Sequence, residues 1–381
     1  MKNFIFISPN FPTNYWQFCK ELKANGMNVL GIGDQPYDEL SPNLKDSLNE
    51  YYKVSSLENY EEVYRAVAFF IFKHGRIDWL ESNNEYWLER DAKLRTAFNI
   101  TTGFQESDMP RIKYKSKMKE FYTKAGIPVA RYHLVDNLKN CRAFIKKVGY
   151  PVVVKPDNGV GASATYKLKT DADLEQFMES RPEDVPYIME EFVPAEVNSY
   201  DAIIDSNGKP IFETGNVTPM SIMDVVNDND NSIYYILRDL PSDTRKAGRA
   251  TVKSFGVKSR FVHFEFFRLT EDYAPMGKKG DVVALEVNMR PSGGFTPDMI
   301  AFDKTEVQSG EHSFCAFAGL RDGKDFVMSH DDIMAKYGEN MRMVDRIPEA
   351  LSGAMANQMY MATFRTKREM DQFYRDVLEC K

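Results

Sequence analysis

Residues 284–294 read A-L-E-V-N-M-R-P-S-G-G. Side chains on a β-strand alternate between its two faces. Glu286, Asn288 and Arg290 therefore share one face, and Leu285, Val287 and Met289 share the other. That pattern suits a strand with one covered side and one polar side. A carboxylate and an amide oxygen together suit a hard, oxygen-seeking cation such as Mg2+. The arginine beside them suits an anion, and a phosphate group meets both needs. A strand with a merely wet face has the same appearance, so the rest of the chain has to decide.

The chain has 381 residues, a length that predicts two or three domains. Its first hundred residues alternate strand and helix signals: strands at 4–7, 27–32 and 77–80, helices at 15–24, 60–73 and 85–98. Strands separated by helices imply a parallel sheet with helices on its faces. Gly31 and Gly33 follow the second strand, but no third glycine completes a dinucleotide fingerprint. A break falls at Ser107-Asp108-Met109-Pro110, and a basic helix is expected over 111–125, stopping at Gly126-Ile127-Pro128. A strand at 130–135 and a helix at 138–148 follow. Strand signals then dominate, at 188–193, 199–204, 210–214, 260–269 and 282–289. The stretch 224–231, D-V-V-N-D-N-D-N, predicts a mobile loop. The last sixty residues read as an appended element, with a strand at 359–365 and a helix at 367–378.

Composition removes some function classes. Lys plus Arg is 49 against 56 Asp plus Glu, a net charge of -7, which argues against general affinity for nucleic acid or anionic membrane. Cys19, Cys141, Cys315 and Cys380 form no C-x-x-C pair, and the histidines do not cluster near them. Reduced thiols in a cytoplasmic protein are the simplest reading. The opening M-K-N-F-I-F-I-S-P reads as a buried strand rather than a signal peptide. No stretch approaches the roughly 20 apolar residues of a membrane span.

Three further segments carry chemistry. Residues 151–165, P-V-V-V-K-P-D-N-G-V-G-A-S-A-T, deliver Lys155 from a β-branched run into a loop holding Gly159, Gly161 and Ala162. Small residues let backbone N–H groups approach phosphate oxygens, although a plain hairpin would look similar. Here the lysine precedes the glycines, so this is not a P-loop. Residues 187–201, Y-I-M-E-E-F-V-P-A-E-V-N-S-Y-D, read either as an acidic surface turn or as a hinge. As a hinge, its backbone would meet an adenine edge and Glu196 a ribose hydroxyl. Residues 261–269, F-V-H-F-E-F-F-R-L, set Glu265 alone in an apolar strand. A charge so placed needs a partner or a metal, unless an edge strand exposes it beside His263. Should Glu265 pair across to the strand of Glu286, two carboxylates and Asn288 face one site, a geometry suited to two Mg2+ ions on a triphosphate.

A basic helix ending in G-I-P, a lysine strand with a small-residue loop, an E-E-F-V hinge, a lone strand Glu and then E-V-N-M-R follow one another in order. This succession resembles the ATP-grasp superfamily, in its carboxylate–amine ligase and carbamoyl-phosphate-synthase-like forms, over roughly 111–320. The resemblance implies a mixed α/β and α+β fold. A parallel α/β domain at 1–110 would precede an ATP-grasp fold of two α+β subdomains at 111–320, with a lid subdomain at about 128–192. A C-terminal extension at 321–381 would pack on it. The resemblance also implies roles. Lys115 and Lys155 would bind phosphates, although Tyr114 replaces the usual acid before Lys115. The loop with Gly159, Gly161 and Ala162 would cover them. Glu190 and the backbone of Glu191, Phe192 and Val193 would form the adenine hinge, with Glu196 on the ribose. Glu265, Glu286 and Asn288 would ligate magnesium or manganese, as two ions. Arg290 would meet an acyl-phosphate, and Ser292, Gly293 and Gly294 the substrate carboxylate.

The activity so implied is ATP-dependent, ADP-forming joining of a small carboxylic acid to an amine, amino acids among them; the oligomeric state stays open, a homodimer being common in the family. Two other readings stay open: an enzyme acting on bicarbonate, as in carbamoyl-phosphate synthase or biotin carboxylase, and a nucleotide-binding module without catalysis. Arg290 argues against the last, since a mere binder need not keep it.

Overall fold

A computed structural model describes residues 1–159, 164–220, 225, 229–306 and 314–381, without the side chains of 303–306. The chain divides into two compact units, 1–110 with 258–260, and 111–257 with 261–381.

In the first unit the order is β1 (Lys2–Ile7), α1 (Trp16–Ala24), β2 (Met27–Gly33), α2 (Pro42–Ser47), β3 (Glu50–Lys53), α3 (Tyr60–His74), β4 (Trp79–Glu81) and α4 (Leu88–Ala97). The strands pair in parallel in the order β3-β2-β1-β4. Both faces of β1 are covered, which is why F-I-F-I is a continuous apolar run. Ile5 and Ile7 pack with α3 residues Val63, Val67 and Phe70. Phe4 and Phe6 pack on the other side with Cys19, Leu40 and Leu44. Asn59 accepts from the Glu62 N–H to cap α3, and Gly75, at φ 80°, closes it. Helix α2 and strand β3 are additions to the expected elements: α2 is a short helix, and E-Y-Y-K of β3 offers no apolar run.

The second unit opens differently from expectation. The single helix expected over 111–125 is two, α5 (Met109–Lys113) and α6 (Lys115–Lys124), broken at Tyr114, whose ψ of 118° is extended. The break has a cause remote in sequence. Buried Asp157 receives the Lys115 N–H at its carbonyl (2.8 Å), and the Ser116 N–H and hydroxyl at its carboxylate (2.7 Å each). It thereby caps α6 in place of a local residue.

A small antiparallel sheet follows, with β5 (Tyr132–Leu134), β6 (Val152–Pro156), β7 (Tyr166–Leu168) and β8 (Tyr187–Glu191) in the order β5-β8-β6-β7. Helices α7 (Leu138–Val148) and α8 (Asp171–Ser180) cover one face, burying Cys141, Ile145, Val152, Val154, Leu174, Phe177 and Met189. By alternation, Lys155 and Glu190 point from the other face.

The remaining strands are β9 (Ala195–Ile204), β10 (Pro210–Thr214), β11 (Asn216–Thr218), β12 (Ser232–Leu237), β13 (Arg260–Leu269), β14 (Val282–Asn288), β15 (Phe314–Leu320), β16 (Met341–Arg346) and β17 (Gln358–Phe364). They form one nine-stranded sheet in the order β14-β13-β9-β11-β12-β15-β17-β16, with β10 on β9. The helices here are α9 (Ser242–Phe255), α10 (Thr296–Glu306), α11 (His330–Tyr337), α12 (Glu349–Met355) and α13 (Lys367–Leu378). One strand and one helix were expected after residue 320. The chain instead adds two strands to the sheet through β15 and lays three helices beside them. Met370, Phe373, Tyr374 and Val377 give α13 a buried stripe at helical spacing.

Of the loop expected to be mobile, 224 and 226–228 lie outside the described residues. Its end is tied down: buried Arg321 donates from its backbone to Asn231 Oδ1 and from Nε to the Asp230 carbonyl, at 2.9 Å each. Among the described residues no helix is long and apolar enough to cross a membrane.

Candidate active site

Strands β13 and β14 pair antiparallel with Glu265 opposite Glu286 and His263 opposite Asn288. Residues two apart on a strand, and residues facing across a pair, share one face. These four side chains therefore form a polar quartet. The register slips between Glu265 and Phe266, passing over Leu285. Leu285 is accordingly half-buried, whereas Val287 and Met289 are buried. β14 stops at Asn288, so Arg290 lies in a bend rather than on the expected strand. Its side chain still turns back to the quartet, donating to Asn288 Oδ1 at 3.2 Å and to the Pro291 carbonyl at 2.8 Å.

Two facing carboxylates repel unless neutralised. Lys115 Nζ stands 3.1 Å from Glu286 Oε1. His263 Nε2 stands 3.4 Å from Glu265 Oε1, and His263 Nδ1 stands 2.7 Å from Asp201 Oδ1. Burial works against a charged His263, but Asp201 and Glu265 outweigh it and push the imidazole up to about 9. It is thus an imidazolium with both N–H groups engaged. Asp201 also accepts from the Ser199 hydroxyl, whose oxygen in turn accepts the Asn216 N–H at 2.8 Å. Burial likewise opposes ionisation of Glu265. His263, then Arg290 and Lys155, hold its carboxyl below the usual range. β13 lies between β14 and β9, so the alternative of an exposed edge strand is overturned.

Helix α6 carries Lys115 and, one turn on, Lys119 on the same side. Lys119 Nζ is 2.7 Å from Glu190 Oε1, and Lys155 Nζ is 2.8 Å from Glu190 Oε2. All three side chains are buried. Burial raises the Glu190 carboxyl, yet Lys119 and Lys155 bring it down to about 2. Burial would neutralise Lys155, but Glu190 and then Glu286 raise it above the ordinary lysine range. The Glu190 carboxylate, expected in an adenine hinge, thus clamps two lysines. Lys119 escaped the sequence reading because K-S-K-M-K offers three lysines alike. Its i+4 spacing from Lys115 was the available signal.

Lys115 Nζ also donates to the Gly159 carbonyl at 2.9 Å. A Cβ on Gly159 would lie 2.8 Å from the Pro156 Cβ, so this glycine permits the turn to close. Gly161 and Ala162 lie outside the described residues. Asp157, two residues before Gly159, is the remote cap of α6 described above.

At the hinge, the buried Glu191 carboxylate takes the Arg131 N–H at 2.6 Å and Nε at 2.8 Å, and the Glu191 N–H reaches the Arg131 carbonyl at 3.0 Å. Those groups hold β8 to the Arg131 segment. Phe192 carries the Lys167 ammonium 3.9 Å over its ring, Val193 is buried, and Glu196 is exposed near the start of β9.

Ser292 is buried. The two glycines after it differ. A Cβ on Gly293 would meet nothing within 4 Å, whereas one on Gly294, at φ 58°, would lie 2.3 Å from Met355 Sδ. Gly294 therefore serves close packing against α12, and Gly293 is exposed with open space around it.

The donor set suits a hard divalent cation. Glu265, Glu286 and Asn288 offer oxygen ligands from one face of a rigid ribbon. Beside them, Lys115, Lys155 and Arg290 supply positive charge for an anion.

Residues 120–208 match the ATP-grasp domain family. The carbamoyl phosphate synthase large chain of Methanothermobacter thermautotrophicus is 30% identical over 76 residues, 20% of this chain and 7% of that protein. An L-arginine-specific L-amino acid ligase of Bacillus subtilis is 27% identical over 172 residues, 44% of this chain and 39% of that protein. The chain thus spans a minor part of the curated relatives it matches. Among solved structures, an L-amino acid ligase from Bacillus licheniformis superposes with a TM-score of 0.72 at 16% identity, covering 100% of this chain and 98% of that one. The shared fold runs from end to end.

Proposed function

We propose that this chain, which carries an ATP-grasp domain, is an ADP-forming ligase that activates a carboxylate as an acyl-phosphate for attack by an amine. The observation carrying this reading is the convergence of Lys115, Lys155 and Arg290 on the facing pair Glu265 and Glu286. Attack of a carboxylate on a triphosphate needs charge neutralisation and alignment more than an acid or base. Lys155 and Lys115 would hold the phosphates. Glu265, Glu286 and Asn288 would hold magnesium, as two ions, which would spread the charge developing on the phosphate oxygens. The open space at Gly293 would admit the acid, with Arg290 beside its carboxylate. When the amine adds, Arg290 would stabilise the oxyanion before phosphate leaves.

The hinge backbone after Glu190 would take the adenine. The sequence match to an L-arginine-specific L-amino acid ligase supports an amino acid as acid or amine. The match to carbamoyl phosphate synthase supports bicarbonate as a second candidate. ADP release measured over a matrix of amino acids and small acids separates them. Release requiring an acid–amine pair supports the ligase, and release requiring bicarbonate supports the alternative. ATP and magnesium without release under any pairing would count against both.

A further inference from the structure

Lys119 has no place in the roles assigned above. Its ammonium is buried, lies 2.7 Å from Glu190 Oε1, and sits 5.6 Å from the Tyr132 ring centroid. It takes the carboxylate oxygen that Lys155 leaves, since Lys155 holds Oε2 at 2.8 Å. The consequence is one of charge. Lys155 and Glu190 alone form a neutral pair, and a neutral pair offers little to a polyanion. With Lys119 the cluster of two ammoniums and one carboxylate carries a net charge of one positive. In a buried setting that single charge acts at short range with little screening.

We propose that Lys119 is a positioning residue for nucleotide binding: by occupying Glu190 from the side away from Lys155, it keeps the Lys155 charge available to phosphate without touching the nucleotide. This rests on the nucleotide reading of the site. The same helix ties Lys115 to Glu286 in the large sheet and Lys119 to Glu190 in the small one. Helix α6 thereby sets Lys115 against Glu286 and, through Lys119, holds the Glu190 carboxylate that balances Lys155. The arrangement also explains why a carboxylate is tolerated directly beside a phosphate-binding lysine.

The test is ADP binding by calorimetry on the full chain and its variants. Lys119→Met should weaken ADP binding by about tenfold or more. Lys119→Arg, which keeps the charge, should stay within about threefold of the parent. In steady state the loss should fall on KM for ATP more than on kcat. Because the effect runs through Glu190, adding Lys119→Met to Glu190→Gln should cost less than about threefold. That comparison also serves if the single variant does not fold, since the double variant leaves no buried carboxylate short of a partner. Unchanged ADP affinity in folded Lys119→Met, or a full tenfold loss in the Glu190→Gln background, would overturn the proposal. No ADP binding by the parent chain would overturn the nucleotide reading, and this inference with it.

Discussion

Glu265 and Glu286 face each other directly across β13 and β14, with Lys115 at one carboxylate and His263 at the other. Two acids placed opposite each other on a rigid ribbon are costly in themselves. The fold sustains them with cations from a helix and from the same strand. Glu286→Gln keeps the shape and removes a charged oxygen ligand. It should reduce ADP formation to background while leaving the melting temperature within a few degrees, read by coupled assay and circular dichroism. Turnover equal to the parent would remove Glu286 from the metal site.

His263 gives a pH signature. Its folded value of about 9 lies above the ordinary 6.5. The stability it contributes is therefore fully present below 6.5 and is lost as pH rises through about 9. Asp201→Asn removes the partner that most raises it. The variant should be less stable than the parent by about 1–3 kcal/mol near pH 6, with the gap narrowing by pH 10. A constant gap across that range in urea unfolding would show that His263 is not charged in the folded protein.

The polar strand at 284–294 was legible in the sequence because period-two alternation of Glu286 and Asn288 survives whatever packs around it. The facing of Glu265 on Glu286 was legible only as a condition, since register depends on the bulge at Leu285. Arg290 was placed on the right side for the wrong reason: the strand ends before it, and its side chain returns through Asn288 and the Pro291 carbonyl. Lys119 and Asp157 were missed because their partners lie far along the chain. A cap supplied from 41 residues away leaves no local mark, and it divides what reads as one basic helix.

Asp91 provides a test in the first unit. It is buried on α4 and accepts from the Ser82 N–H at 2.9 Å and the Ser82 hydroxyl at 2.7 Å. Burial pushes its carboxyl up to about 7, with Arg95 opposing and Glu81 adding. A folded acid raised above its unfolded value holds its proton longer, so stability falls as pH rises from about 4 towards 7 and stays reduced above. Asp91→Asn keeps an acceptor for Ser82 and removes the titration. It should be more stable than the parent at pH 8 by about 1–3 kcal/mol and nearly equal at pH 4. A variant less stable than the parent at pH 8 would show that the fold favours the charged Asp91 carboxylate rather than penalising it.

The two glycines should part company. Gly294→Ala places a methyl against Met355 in a left-handed conformation. It should cost about 1 kcal/mol or more of stability. Gly293→Ala meets open space, so it should fold as well as the parent and raise KM for the acid instead. Equal effects of both on the melting temperature would contradict the assignment of Gly293 to the substrate side.

The central claim is that a substrate carboxylate attacks the terminal phosphate of ATP. An acid labelled with 18O in its carboxylate tests it directly, by mass spectrometry of the released phosphate. One 18O atom transferred to phosphate, with ADP as the nucleotide product, is the predicted result. Phosphate free of label, or AMP and pyrophosphate as products, would contradict it.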